Sequence, residues 1–429
     1  MSSQQQPQEG PPRITARQIL GKWPVWAFPA ALVTLVSFFL ALVYTGGIAD
    51  PKGSMHHLPI ALVNRDTGSL GEQFVQGIAT APDPGQRVSW KVMSPGAARD
   101  AFASDRIYGA IEVPAGFTSS LQNITATKPS AGASRPQVTL LTNPGAGSLA
   151  SSLASTVEQQ ALHTASQRIG SDLSQQMRSS GTQPSAAQLM LLGDPIAFTT
   201  APGHAIGVRT GLGLSAFYLT LLVVLSGFLG ANIVSNGVDS ALGYAPSELG
   251  PKRRMRSPLL ISRTQTLVIK MVMSAALSVV TSSVIVLATA VIIRLDMPHL
   301  FLLWVFVICA SAIVGLGAQA IIATFGGLGQ LISMLFFVAL AIPSAGATIP
   351  LEAVPGFYRT LAWFEPMRQI GGGVRAIVYF DARADAGLRR AWIMLAVGLG
   401  ISLLLGFGIT RWYDRRGYHR VHPEHIPDR

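Results

Sequence analysis

The stretch VWAFPAALVTLVSFFLALVY, residues 25–44, decides the fold class. It runs for 20 residues without a charge. At about 1.5 Å per helical residue it matches the roughly 30 Å hydrocarbon layer of a bilayer. A cleaved leader is the competing reading. Its apolar core usually ends within roughly 15 residues and is followed by a small-x-small cleavage site, so an uncleaved anchor is expected here. Five further apolar runs follow at 211–234, 265–293, 299–323, 328–343 and 391–410, which makes six candidate spans. The bulk composition agrees: 49% of the 429 residues are hydrophobic and only 12% are charged, where soluble domains carry roughly 25% charged residues. The expected fold is a polytopic α-helical membrane protein with six transmembrane helices and an α/β extracytoplasmic domain between the first and second.

The net charge of +11 raises the question of a nucleic-acid partner, and its distribution answers it. Residues 46–208 hold ten basic and ten acidic side chains, so this polar stretch is neutral overall. The excess lies beside the apolar runs. The N-terminus, the loop 235–264 and the tail 411–429 together carry thirteen basic against six acidic residues. By the positive-inside rule these segments face the cytoplasm. An even number of spans puts both termini there, in a cell membrane, with 46–208 outside. Lys270 and Arg294 sit near the two ends of the third span, where each is expected to snorkel to the interface.

The organisation is therefore a cytoplasmic segment 1–23, a first span 24–45, a domain 46–208, a five-helix region 209–410 and a basic tail 411–429. In the domain, strand-like runs at 58–63, 87–93, 107–113 and 137–141 alternate with helical ones at 69–79, 95–103 and 114–122, the first helix after 94 being capped by Ser94. A Ser/Ala/Pro-rich loop is expected at 126–136. Residues 147–178 lack Pro and repeat apolar positions at helical spacing, which predicts one long helix serving as a stalk, as a dimer contact or as a cover for the sheet. Residues 195–207 read as a linker.

One stretch resists the span scheme. Residues 344–390 should lie outside, yet they carry six arginines, and their Pro- and Gly-interrupted apolar pattern is too broken to cross. Short re-entrant or interfacial helices near 344–380 are expected, with a surface loop as the alternative.

Catalytic and metal chemistry is not legible. The single Gly-Lys pair, Gly21-Lys22, is followed by Trp23, so no phosphate-cradling loop is present. Cys309 is the sole cysteine and lies in an apolar run. His419, His422 and His425 in the tail, and His56-His57, make poor metal sets. Asn64, Asp66 and Gly68 imitate the start of a calcium loop, but Val75 occupies the closing position, so a strand-ending turn is expected. No enzyme activity, cofactor or nucleic-acid partner is expected. Small residues at Gly227 and Ala231, Ser274 and Ser278, Gly315 and Gly317, and Gly398 and Ser402 mark close helix approach.

Three stretches carry a family likeness: LPIALVNRDTGS at 58–69, YGAIEVPAGF at 108–117, and the segment from Phe325-Gly-Gly-Leu-Gly-Gln330 through Pro350 and Pro355 to Pro366 and Arg375. Together with one span, an external domain and five more spans, they resemble the YhgE/Pip group of membrane proteins within the wider set of type-2 ABC export permeases. A fungal group linked to nitrosoguanidine resistance shares the outline. Glu365-Pro366 replaces the usual Leu-Pro, and the domain is compact where many members are longer.

The resemblance implies a permease subunit exporting a hydrophobic or amphipathic compound. Lys252, Arg253, Arg254 and Arg256 would lie against lipid headgroups or a separate ATP-binding subunit. Pro350, Pro355, Pro366, Arg368 and Arg375 would form the re-entrant element. Two copies, as a homodimer or heterodimer, would enclose the path. Ala16, Ile19, Leu20 and Trp23 would lie along the inner surface. The alternative is a non-transporting envelope protein, a secretion accessory factor or receptor, acting through its external domain.

Overall fold

Strand Leu58–Asn64 (β1) buries Leu58, Ile60, Ala61, Leu62 and Val63 completely, on both of its faces, as a central strand of a mostly parallel sheet must. The computed structural model, which describes residues 15–126, 134–181, 183–249, 251–346, 349–418 and 420, surrounds it with Val88–Val92 (β2), Gly109–Val113 (β3), Gln137–Thr142 (β4) and Ala197–Pro202 (β5). Arg13, His419, His422, His425 and part of the loop expected at 126–136 lie outside the described residues. The strand order is β2-β1-β3-β4-β5, with only β3 and β4 antiparallel.

Four strands match the expectation within a few residues, and the fifth corrects it. β5 falls in the stretch read as a linker because Pro195, Pro202 and Gly203 mask it. An edge strand tolerates proline at its end, and β5 pairs on one side only. The helix expected from Pro114 begins at Phe117, after Gly116 turns the chain through a left-handed φ of 79°. Ser94 caps the helix Pro95–Ala103 by accepting from Ala97 N at 3.3 Å.

The long helix is Ser148–Ser179, and it covers the sheet. Leu153, Ala154, Leu162, Leu173 and Met177 are buried beneath it. Glu158 is fully buried there too, over Gly109, where any Cβ would fall 2.0 Å from its Oε1.

The two family motifs meet at one end of the strands. Asn64 Oδ1 accepts from Asp66 N at 2.9 Å, closing the turn, and Asp66 Oδ2 accepts from Thr118 N at 3.1 Å. The calcium-like pattern is thus a strand-ending turn that staples the β1 exit to the helix after β3.

Among the described residues five helices are long and apolar enough to cross a membrane: Trp23–Gly47, Leu214–Ala241, Arg263–Ile292, Leu300–Ser344 and Leu388–Arg415. The fourth is a 45-residue run in which the two expected spans 299–323 and 328–343 are joined. Within it the chain reverses at Gly326, φ 61°. The second leg lies back along the first: a Cβ on Gly329 would sit 2.5 Å from Ile322, and one on Gly317 would sit 2.9 Å from Phe337. The returning leg, residues 329–344, extends about 24 Å, shorter than a bilayer core.

Leu300–Phe325 is the hub of the bundle, with Leu303, Phe306, Val307, Ala310 and Val314 buried. Small residues let backbones close on it. A Cβ on Gly227 would meet Ser311 O at 2.5 Å, and Gly315 faces Gly227 O at 3.3 Å. The helix Trp23–Ile48 instead exposes Phe28, Val33, Leu35 and Phe38 to the outside of the bundle.

Candidate functional site

The arginine-bearing segment after Ser344 folds into short helices, each opened by one of the prolines. Pro350 precedes the turn Leu351–Ala353, Pro355 precedes Gly356–Leu361, and Pro366 occupies the first turn of Pro366–Tyr379. There a proline loses no hydrogen bond and its fixed φ suits the helix. Glu365, fully buried, caps the last of these by accepting from Met367 N at 2.8 Å and Arg368 N at 2.9 Å. The run Gly371-Gly372-Gly373 does not interrupt this helix. It lets the helix press into the bundle, since a Cβ on Gly373 would lie 2.3 Å from Phe306 and 2.8 Å from Ala391. Gly371 faces Thr220 of Leu214–Ala241.

From this seat the segment reaches the α/β domain. Arg375 Nη2 lies 3.0 Å from Asp105 Oδ2, and Arg375 Nη1 donates to Ala146 O at 3.2 Å. Asn143 Nδ2 donates to Asp105 Oδ1 at 3.2 Å and to Ile107 O at 3.0 Å. Tyr108 OH donates to Glu352 Oε2 at 2.9 Å, with the Arg368 guanidinium close enough to feel both. Two carboxylates and two guanidiniums thus share one half-buried joint.

Burial pushes the Asp105 carboxyl above its ordinary range, against the pull of Arg375, Arg368 and the Asn143 amide. Burial, with Glu352 and Asp105 adding to it, pushes the Tyr108 phenol well up, so it stays protonated and donates.

An apolar cluster closes around the joint: Val43 of the first helix, Met55, Leu58 and Leu153 of the domain, and Ile349, Val354 and Tyr358 of the proline-rich segment. Tyr358 OH donates to Val43 O at 3.0 Å. On the far flank His204 Nε2 contacts Tyr379 O at 2.8 Å, and Arg383 pairs with Asp100 at 2.8 Å. First helix, domain and bundle are therefore held at one place.

Arg368 and Arg375 meet at this joint and Pro350 and Pro355 open the short helices beside it, while Pro366 starts the helix about 14 Å before Arg375. Lys252, Arg253, Arg254 and Arg256 lie away from the joint. They are exposed on and beside a small hairpin, Ser247–Leu249 with Lys252–Arg254, beyond the far end of Leu214–Ala241. That helix begins against the domain, where Gly213 meets Pro144 O, and is about 42 Å long.

Sequence reading also missed an inner cluster near the hairpin end. Lys270 does not snorkel. Its Nζ lies 2.8 Å from Asp239 Oδ1 and 2.8 Å from Ser235 Oγ, with 4% of the residue exposed. Asp239 also accepts from Arg420 Nη1 at 2.6 Å. Buried Gln319 donates to Ala231 O at 2.8 Å and Ser274 Oγ at 3.1 Å. A lysine inside an apolar run, with an aspartate beyond the preceding run, is the one signal that could have suggested the pair. Arg294 is exposed. Among the described residues no group of three His, Cys, Asp or Glu side chains is placed to hold a metal.

Comparison with known proteins adds a family. Residues 30–398 match the family model described as "Protein of unknown function (DUF3533)". The chain is also similar to the "Uncharacterized protein YhgE" of Bacillus subtilis (strain 168), 30% identical over 113 residues, a stretch covering 26% of this chain and 14% of that protein. No solved structure matches.

Proposed function

The chain belongs to the DUF3533 family, and on that premise we propose that it is a membrane permease subunit that exports a hydrophobic or amphipathic compound, a drug, a lipid or an envelope component. The observation that carries this reading is the joint. A helix seated among three membrane-length helices carries an arginine that grips the domain, so a shift of the bundle is delivered to the domain through Arg375 and Asp105. In this reading the leg 329–344 is a short sixth crossing, both termini are cytoplasmic and the domain lies outside. The basic hairpin bearing Lys252, Arg253, Arg254 and Arg256 lies against anionic headgroups or a separate ATP-binding subunit, and two copies enclose the path.

A second reading keeps the same topology and makes the domain a receptor or secretion accessory factor. The fixed joint would then only hold that domain upright. Reconstitution into vesicles with candidate ATPases separates the two. ATP-dependent movement of a labelled lipid or drug, abolished by Asp105→Arg and restored when Arg375→Asp is added, supports export. No movement of any compound, with capture of a specific envelope partner, favours the rival. Topology is tested with Cys309→Ser chains carrying Ser134→Cys or Ser257→Cys: an impermeant maleimide added to intact cells is expected to label the first and spare the second.

A further inference from the structure

Between the helix Ser69–Ala79, β2 and the long helix Ser148–Ser179 runs a cleft of about 370 Å³, which shares Met55 and Leu153 with the apolar cluster beside the joint. Its floor is apolar, formed by Phe74, Ile78, Trp90, Val157, Ala161 and Ile169. Its lining is not apolar throughout. Lys52 lines it as well, a few residues beyond the end of Trp23–Ile48, which places a cation of the cleft near the end of the first apolar helix. Arg87 joins it because β1 and β2 are parallel, with Leu58 opposite Val88. Asp83 is already engaged, accepting from Val88 N at 2.9 Å and lying 3.5 Å from Arg87 Nε. Lys52 is exposed. The half-buried Trp90 leaves its indole N–H without an acceptor among the described residues. An apolar trough with Lys52 and Arg87 among its lining, Arg168 and Asp172 lining it too, suits a molecule with one apolar tail and one anionic head.

We propose that this cleft binds a single-chain anionic amphiphile of the lysophospholipid kind, its tail over Trp90, Phe74 and Ile78 and its head at Lys52 and Arg87. The volume falls near the low end of the roughly 300–1,000 Å³ of small-molecule pockets, which suits one chain rather than two. Binding here holds whether or not the chain transports anything, so it goes beyond the export reading.

The test uses the full-length chain in phosphatidylcholine nanodiscs, with diazirine-tailed lysophosphatidylglycerol as probe and its lysophosphatidylcholine counterpart as control. After illumination, adducts are expected on peptides containing Phe74 or Ala161, at least fivefold more for the anionic probe. Gly77→Phe fills the cleft from a position whose Cβ meets open space, and it is expected to cut those adducts at least fivefold. Lys52→Glu, on an exposed side chain that supports no packing, is expected to cut them about threefold and keeps the test valid should Gly77→Phe fold poorly. Adducts confined to the membrane-length helices, equal labelling by both probes, or labelling undiminished in both variants would each overturn the proposal.

Discussion

Two ion pairs, Asp239 with Lys270 and Asp105 with Arg375, show the same chemistry placed for different ends. The first joins two helices of one bundle, and its lysine is almost wholly removed from solvent. The second joins two bodies, the domain and the bundle, and keeps its guanidinium about one-fifth exposed. Removing Asp239, itself 20% exposed, leaves the 5%-exposed Lys270 ammonium without its carboxylate, whereas removing Asp105 leaves the Arg375 guanidinium, 18% exposed, where water can enter and compensate. The inner pair should therefore govern whether the chain folds, and the outer pair whether its parts move together.

The largest effect is expected at the inner pair. Asp239→Ala should destabilise the bundle by about 3–5 kcal/mol, seen as a lower melting temperature in detergent, and adding Lys270→Met should recover much of it. If Asp239→Ala melts like the parent, the pair is ornamental and the contrast fails. At the joint, Asp105→Ala should cost about 1.5–3 kcal/mol, the range of a charge-assisted hydrogen bond. Its signature should be faster hydrogen exchange at residues 143–147 and 349–358, with the bundle unchanged. A global loss of protection would show that the joint is part of one core rather than a coupling between two bodies.

Glu158 sharpens the comparison, because it is a buried carboxyl without a charged partner among the described residues. Among those residues its side-chain oxygens have no hydrogen-bond partner, and burial pushes its pKa well above the ordinary value of 4.5. The folded domain therefore holds a proton that the unfolded chain releases near that ordinary value. Stability should be greatest below about pH 4.5 and decline as pH rises toward the folded pKa. Glu158→Met should stabilise the domain by about 1–3 kcal/mol at neutral pH, with a gap from the parent that widens between pH 4 and pH 8, read from exchange of β3 and β4 amides. A pH-independent gap would mean the carboxyl is not neutral in the fold. The smallest effect belongs to the hairpin: Arg254→Glu, on an exposed residue, should change stability by less than about 0.5 kcal/mol while weakening binding to anionic vesicles.

Much of the architecture could be read in order along the chain. Uninterrupted apolar length marked the membrane-length helices, and short strand-like runs between helical ones marked four strands, because both are local consequences of what a helix or strand must bury. β5 escaped, since an exposed edge strand carries no core pattern and its prolines imitate a linker. The triglycine at 371–373 misled for a related reason. Glycine weakens a helix in isolation, yet here it is what allows the helix to approach Phe306 and Ala391. Of the candidate site, the prolines and both arginines were legible as an anomaly of charge and pattern.

The sequence by itself determined the apolar lengths, the neutral domain between the first two runs and the basic flanks, because hydrophobicity and charge are properties of each segment alone. Only the tertiary structure decided that Arg375 meets Asp105, that Tyr108 meets Glu352 across 244 positions, and that Lys270 turns inward to Asp239. A pairing is a property of two surfaces brought together by packing elsewhere, and neither member carries a local mark of the other.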